Sequence, residues 1–96
     1  MTFRPGDVVG IACQIQEGPF PEEKLITVET IDGPISGFVK LENLNIEEEA
    51  DNGVVRGTVV SAKDETITVK ISGSFFTTAL GVASVSAARL THLAAA

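Results

Sequence analysis

Two β-forming runs in this chain are followed by the same succession of segments, and that internal echo constrains the fold more than any single motif. Val8-Val9-Gly10-Ile11-Ala12-Cys13 follows the turn Gly6-Asp7, and Val54-Val55-Arg56-Gly57-Thr58-Val59 follows Asn52-Gly53. An Ile-Thr-Val strand comes next in each half, within Leu25-Ile26-Thr27-Val28-Glu29 and within Thr66-Ile67-Thr68-Val69-Lys70. Each half closes with a Leu-x-x-Leu clause, Leu41-Glu42-Asn43-Leu44 and Leu90-Thr91-His92-Leu93. Two copies of a small β unit, 7–44 and 53–93, that bury their apolar faces against each other are the predicted architecture.

The alternation of apolar and polar residues places the strands. Asp7 to Ile15 is the first and ends before Gln16-Glu17-Gly18-Pro19-Phe20-Pro21, where two prolines remove ladder donors. Leu25 to Ile31 and Ile35 to Leu41 flank Asp32-Gly33-Pro34, a turn sequence that predicts a hairpin. In the latter strand Ile35, Gly37, Val39 and Leu41 share one face, and Ser36, Phe38 and Lys40 the other. The polar run 45–52, with Glu47-Glu48-Glu49 and Asp51, is read as an acidic connector. Val54 to Ala62 and Thr66 to Ile71 flank Lys63-Asp64-Glu65 as a second hairpin. Phe75 to Val85 reads as one long strand bent or bulged at Gly81. Leu90 and Leu93 are expected to form a plug, with Ala94 to Ala96 frayed.

About six short strands cannot leave long edges open without inviting edge pairing, so the expected fold is all-β, a single small barrel or two packed sheets. The expected core is Val9, Ile11, Ile15, Ile26, Val28 and Val39 from the first half. Val55, Val59, Ile67, Val69, Ile71 and Phe76 complete it from the second. Gly37, Gly57 and Gly81 are expected where strands coil sharply or approach closely.

A chain of 96 residues has room for one domain. Its single cysteine, Cys13, shares a strand face with Val9, Ile11 and Ile15 and is read as an inert core thiol. A reducing compartment, the cytoplasm, is the expected location. No apolar run reaches the roughly 18 residues of a membrane span. The net charge is −6, and all of it falls in residues 1–48, where Arg4, Lys24 and Lys40 face nine acidic side chains. An acidic chain with scattered basic residues is poorly suited to neutralising phosphates, so RNA is a disfavoured partner and a membrane is not expected.

Pro5-Gly6-Asp7-Val8-Val9, followed by Ser36-Gly37-Phe38-Val39-Lys40-Leu41-Glu42-Asn43-Leu44, resembles the small β-barrels of translation and transcription, the S1-type OB domains and SH3-like KOW modules. Val55-Arg56-Gly57-Thr58-Val59 is similar to the opening of the same families. The resemblance implies a single-stranded RNA contact at Phe38 and Lys40. Lys40 stands where those domains carry a characteristic His, and the chain has no Trp or Tyr.

Catalysis has few candidates. The one histidine, His92, lies near the C-terminus with no evident nucleophile, so no catalytic residue is assigned. One Cys and one His give no zinc spacing, and the acidic run lacks the alternation of a calcium loop; no metal or cofactor is expected. Surface recognition remains. Phe20 sits between prolines in a stiff loop, and Phe38 and Lys40 lie on an outward face. Phe75 or its neighbour must point away from the core, and Ala79 would lie in a small-residue strip that allows close approach. The expected function is a non-catalytic protein-binding or assembly module, acting on a protein partner or as a homo-oligomer. A single-stranded RNA-binding domain and an accessory domain of an enzyme are the alternatives.

Overall fold

The computed structural model describes residues 2–18, 20–46, 51–75 and 81–93. The first half carries β1 (Val8–Glu17), β2 (Glu23–Thr30), β3 (Gly33–Lys40), a 3-10 turn (Leu41–Asn43) and β4 (Leu44–Ile46). The second carries β5 (Asn52–Lys63), β6 (Thr66–Ile71), β7 (Ser74–Phe75), β8 (Val82–Ser86), another 3-10 turn (Ala87–Arg89) and β9 (Leu90–His92). Among the described residues nine strands form one antiparallel sheet in the order β7-β3-β2-β1-β5-β6-β8, with β4 also on β5 and β9 also on β1. The sheet curls strongly into a half-barrel. The edge strand β8 reaches the turn after β2, where the Ile31 N–H donates to the Ser84 carbonyl at 2.9 Å. Among the described residues no helix is long and apolar enough to cross a membrane.

The centre of the sheet is the β1–β5 ladder, which runs from Val8 opposite Thr58 to Gln14 opposite Asn52, with Ile11 opposite Val55 at its middle. The closing strand of each half crosses to the other half. Leu44, Asn45 and Ile46 of β4 pair with Val55, Val54 and Gly53. Leu90, Thr91 and His92 of β9 pair with Ile11, Gly10 and Val9. The two halves therefore share one pairing pattern, related by a pseudo-twofold through the Ile11–Val55 pair.

This pattern sets a register that the sequence echoes miss. The hairpin pairs Leu25–Phe38 and Lys24–Val39 occupy the places of Thr68–Ser84 and Ile67–Val85. The Ile-Thr-Val strings are thus two residues out of step, which a period-2 pattern hides because a slip of two keeps every side chain on its face. The two 3-10 turns likewise match Leu44 with Leu90, not with Leu93. Ser86 caps the second turn, its hydroxyl accepting from the Ala88 N–H at 3.3 Å.

The core lies inside the curl. Val9, Ile11, Ile15, Ile26, Val28, Val39, Val55, Val59, Ile67, Val69 and Ile71 are buried as expected, joined by Phe3, Cys13, Phe75, Val85 and Leu90. Phe76 lies outside the described residues. Gly57 is required by close approach, because a Cβ there would meet Ile11 Cδ1 at 2.7 Å and the Lys70 carbonyl at 2.9 Å. Gly37 is crowded in the same way by the backbone of Ser74 and Phe75.

Several sequence expectations are corrected. Of the expected bent strand from Phe75 to Val85, residues 76–80 lie outside the described residues; Ser74–Phe75 (β7) pairs with β3, and Val82–Ser86 (β8) pairs with β6 at the opposite end of the sheet order. Gly81, at φ +68°, breaks the extended path before β8. The plug at 90–93 is a paired strand, since Leu93 N–H donates to the Val8 carbonyl at 3.1 Å. The connector 45–52 is narrower, because Asn45, Ile46 and Asn52 belong to strands. Ile31 lies in a turn and is 58% exposed, and Leu41 leaves the core face for the 3-10 turn, 41% exposed. Ala94 to Ala96 lie outside the described residues.

Ile11 carries the most structural dependence, being fully buried and opposite both Val55 and Leu90. Ile11→Ala should lower the unfolding free energy by about 2–5 kcal/mol. Val60→Ala, at an exposed irregularity in β5, should change it by no more than about 0.5 kcal/mol. Urea titration of both variants checks this, and equal effects would contradict the core assignment.

Candidate interaction surface

The outward residues of β1, β2 and β3 form a polar and apolar floor. Register places Gln16 beside Leu25, Leu25 beside Phe38, and Phe38 beside Ser74, so four strands contribute one row. The next row is Gln14, Thr27 and Ser36, with the Thr27 and Ser36 hydroxyls 2.9 Å apart. On the other side, Glu23 and Lys40 are cross-strand neighbours. Leu25 and Phe38 are half-buried, and Lys40 is exposed.

Phe20 and Leu41 lie in the turns at one end of this hairpin. The Glu23 N–H donates to the Phe20 carbonyl at 3.2 Å, and the Leu41 N–H donates to the Glu22 carbonyl at 3.0 Å. The turn before β2 and the turn after β3 are thereby tied together. Phe20 is 57% exposed and Leu41 is 41% exposed, so both present apolar surface to solvent. Lys24 is engaged by Glu17 at 2.7 Å, while no ion pair is formed by Glu22, Glu23, Lys40 or Glu42 among the described residues.

The structure therefore brings Phe38 and Lys40 onto one face, as the strand alternation requires, with Phe20 at the same end of the hairpin. Phe75 does not join them. It is 9% exposed and packs into the core, because β7 turns it to the inside of the curl against Gly37. That corrects its expected role in a partner surface. Ala79 lies outside the described residues. Leu25 and Leu41 were not singled out in the sequence; Leu25 is legible as the residue between Lys24 and Ile26, but its meeting with Phe38 needs the hairpin register.

The opposite face of β1 offers no reactive chemistry. Cys13 is 7% exposed, its Sγ contacts the Gly53 carbonyl at 3.6 Å, and burial pushes its pKa up to about 11. A thiol held protonated in this way is a poor nucleophile. Among the described residues no three His, Cys, Asp or Glu side chains converge into a metal-binding group.

His92 is placed by β9 instead of lying on a frayed tail. Its ring stacks on Phe3 with centroids 4.4 Å apart, and Nε2 sits 3.3 Å from Asp7 Oδ2. The Arg4 N–H donates to the same carboxylate oxygen at 2.9 Å. That backbone hydrogen bond, with His92 beside it, holds the Asp7 carboxyl below its usual range despite partial desolvation. The N-terminal turn and β9 are clasped together at this point.

Comparison with family models, with curated proteins and with solved structures finds no match for this chain.

A depressed carboxyl contributes stability above its unfolded pKa and loses it as pH falls through the lowered folded value. Asp7→Asn should therefore reduce the urea midpoint at neutral pH, and the difference from the parent should shrink once the pH drops below the carboxylate range. Equal midpoints at neutral pH would show that the clasp contributes nothing.

Proposed function

We propose that this protein is a non-catalytic binding module that contacts a protein partner through the outer face of β1–β3 and its Phe20–Leu41 end. The observation that carries the reading is a difference between the two related halves. Where β6 and β8 place Thr68 against Ser84, hydroxyls 2.9 Å apart, β2 and β3 place Leu25 against Phe38. A polar pair suits a solvated face. An apolar pair at the same position, bordered by exposed Phe20 and Leu41, forms the kind of apolar centre with a polar rim that protein interfaces use. The partner is a different protein or a second copy, and the buried thiol suits a reducing, cytoplasmic setting.

A single-stranded RNA contact is the second reading. The curled antiparallel sheet is compatible with the small barrels that the Gly37-Phe38-Val39 segment resembles, and Phe38 and Lys40 share an outward face. A base stacking on Phe38 with a phosphate near Lys40 would use both. Glu23 directly opposite Lys40, and the acidic side chains around it, weigh against a phosphate there. An accessory role within an enzyme would use the same face toward the catalytic domain.

Photo-crosslinking from position 20 separates these readings. With a photoreactive phenylalanine analogue replacing Phe20, irradiation in the native cell should give a discrete protein adduct, and the analogue placed at Val60 should not. Adducts to RNA from position 20 would transfer support to the nucleic-acid reading. Equal yields from both positions would contradict a dedicated surface.

A further inference from the structure

We infer that the partner segment seated on this face is basic, an apolar side chain flanked by lysine or arginine. The inference rests on the protein-binding reading above and adds the chemistry of what is bound. The apolar elements are Phe20 and Leu41 at the rim and the Leu25–Phe38 pair on the floor. The charges on this face and its turns are Glu22, Glu23, Glu29 and Glu42 against Lys40, while Glu17 and Lys24 pair on the core side of the sheet. Lys24 is engaged by Glu17, whose carboxylate is otherwise open to water at 87% side-chain exposure.

Three of these carboxylates lie close to the apolar rim by direct structural connection. Glu22 supplies the carbonyl that receives the Leu41 N–H, Glu42 follows Leu41 in the 3-10 turn, and Glu23 closes the turn that begins at Phe20. None is committed to an ion pair among the described residues. An apolar anchor entering between Phe20 and Leu41 would bring neighbouring side chains of its own chain within reach of these groups. A lysine or arginine there gains charge-assisted contact, whereas an acidic side chain meets repulsion from several directions. The second half provides an internal contrast. Glu65, whose carbonyl receives the Ala87 N–H at 2.8 Å, stands where Glu22 does, but the places of Glu23 and Glu42 are taken by Thr66 and Ala88. Two of the three rim carboxylates, Glu23 and Glu42, are therefore peculiar to the half that has the apolar pair.

The test uses the full chain, isotope-labelled for amide NMR, and three probes: a short peptide alternating lysine with leucine, one alternating glutamate with leucine, and oligouridylate. The lysine peptide should shift amides around Glu22 to Leu25 and Lys40 to Glu42 and bind more weakly as salt rises. The double variant Leu25→Thr, Phe38→Ser installs the polar pair that the other half already accommodates, so it should fold and bind about tenfold more weakly or worse. Glu22→Gln with Glu42→Gln should lower affinity and flatten the salt dependence while leaving the floor intact. If the glutamate peptide shifts the same amides as strongly, the binding face stands and its basic preference is wrong. Shifts spread evenly over all acidic residues, including Asp51 and Glu65, would overturn the proposal as nonspecific attraction. Silence from both peptides with shifts from oligouridylate at Phe38 and Lys40 would overturn the protein-binding reading itself.

Discussion

The antiparallel ladder between β1 and β5 is the constraint on which the remaining structure depends. It joins the halves along seven residue pairs and sets Ile11 against Val55, both without solvent exposure. Because β4 adds to β5 and β9 adds to β1, neither half keeps its own closing strand. The Leu44 and Leu90 N–H groups close their own 3-10 turns on the Leu41 and Ala87 carbonyls, but the ladder partners of Leu44–Ile46 and Leu90–His92 lie across the molecule's midline. The core is accordingly shared, and loosening either half exposes an edge of the other.

The same arrangement explains how one face became available for recognition. With Ile26, Val28, Gly37 and Val39 turned inward to the shared core, the alternate residues of β2 and β3 lie on the outer face of the sheet. One pair there differs between the halves: the second half places the Thr68 and Ser84 hydroxyls 2.9 Å apart, as Thr27 and Ser36 are in the neighbouring row of the first. At the matching place the first half carries Leu25 and Phe38. The Glu22–Leu41 hydrogen bond ties together the turns that carry Phe20 and Leu41 at the end of this hairpin.

Much of the fold was legible because strands with one buried face alternate. The buried positions of β1, β2, β5 and β6 follow directly from that pattern, as does the hairpin around Asp64-Glu65. The exchange of β4 and β9 was not legible: three-residue strands are too short to show a period, and Leu90 reads as a plug unless its partner Ile11 is known. Phe3 was missed for a related reason, since one aromatic outside a periodic run carries no directional signal, and its stacking on His92 is a long-range contact. Phe38 and Lys40 could be placed on one face by counting. Phe75 could not, because its side is decided by the two-residue pairing of β7 with Gly37 and Phe38.

Amide hydrogen exchange under native conditions tests the interlocked architecture most directly. If the closing strands are integral to the opposite halves, the hydrogen-bonded amides of β4 and β9 exchange only with global unfolding, in one class with those of β1 and β5. Fast exchange of Leu44–Ile46 or Leu90–His92 while the β1–β5 ladder stays protected would show that these strands are dispensable additions, and the account of a single reciprocally closed core would fail.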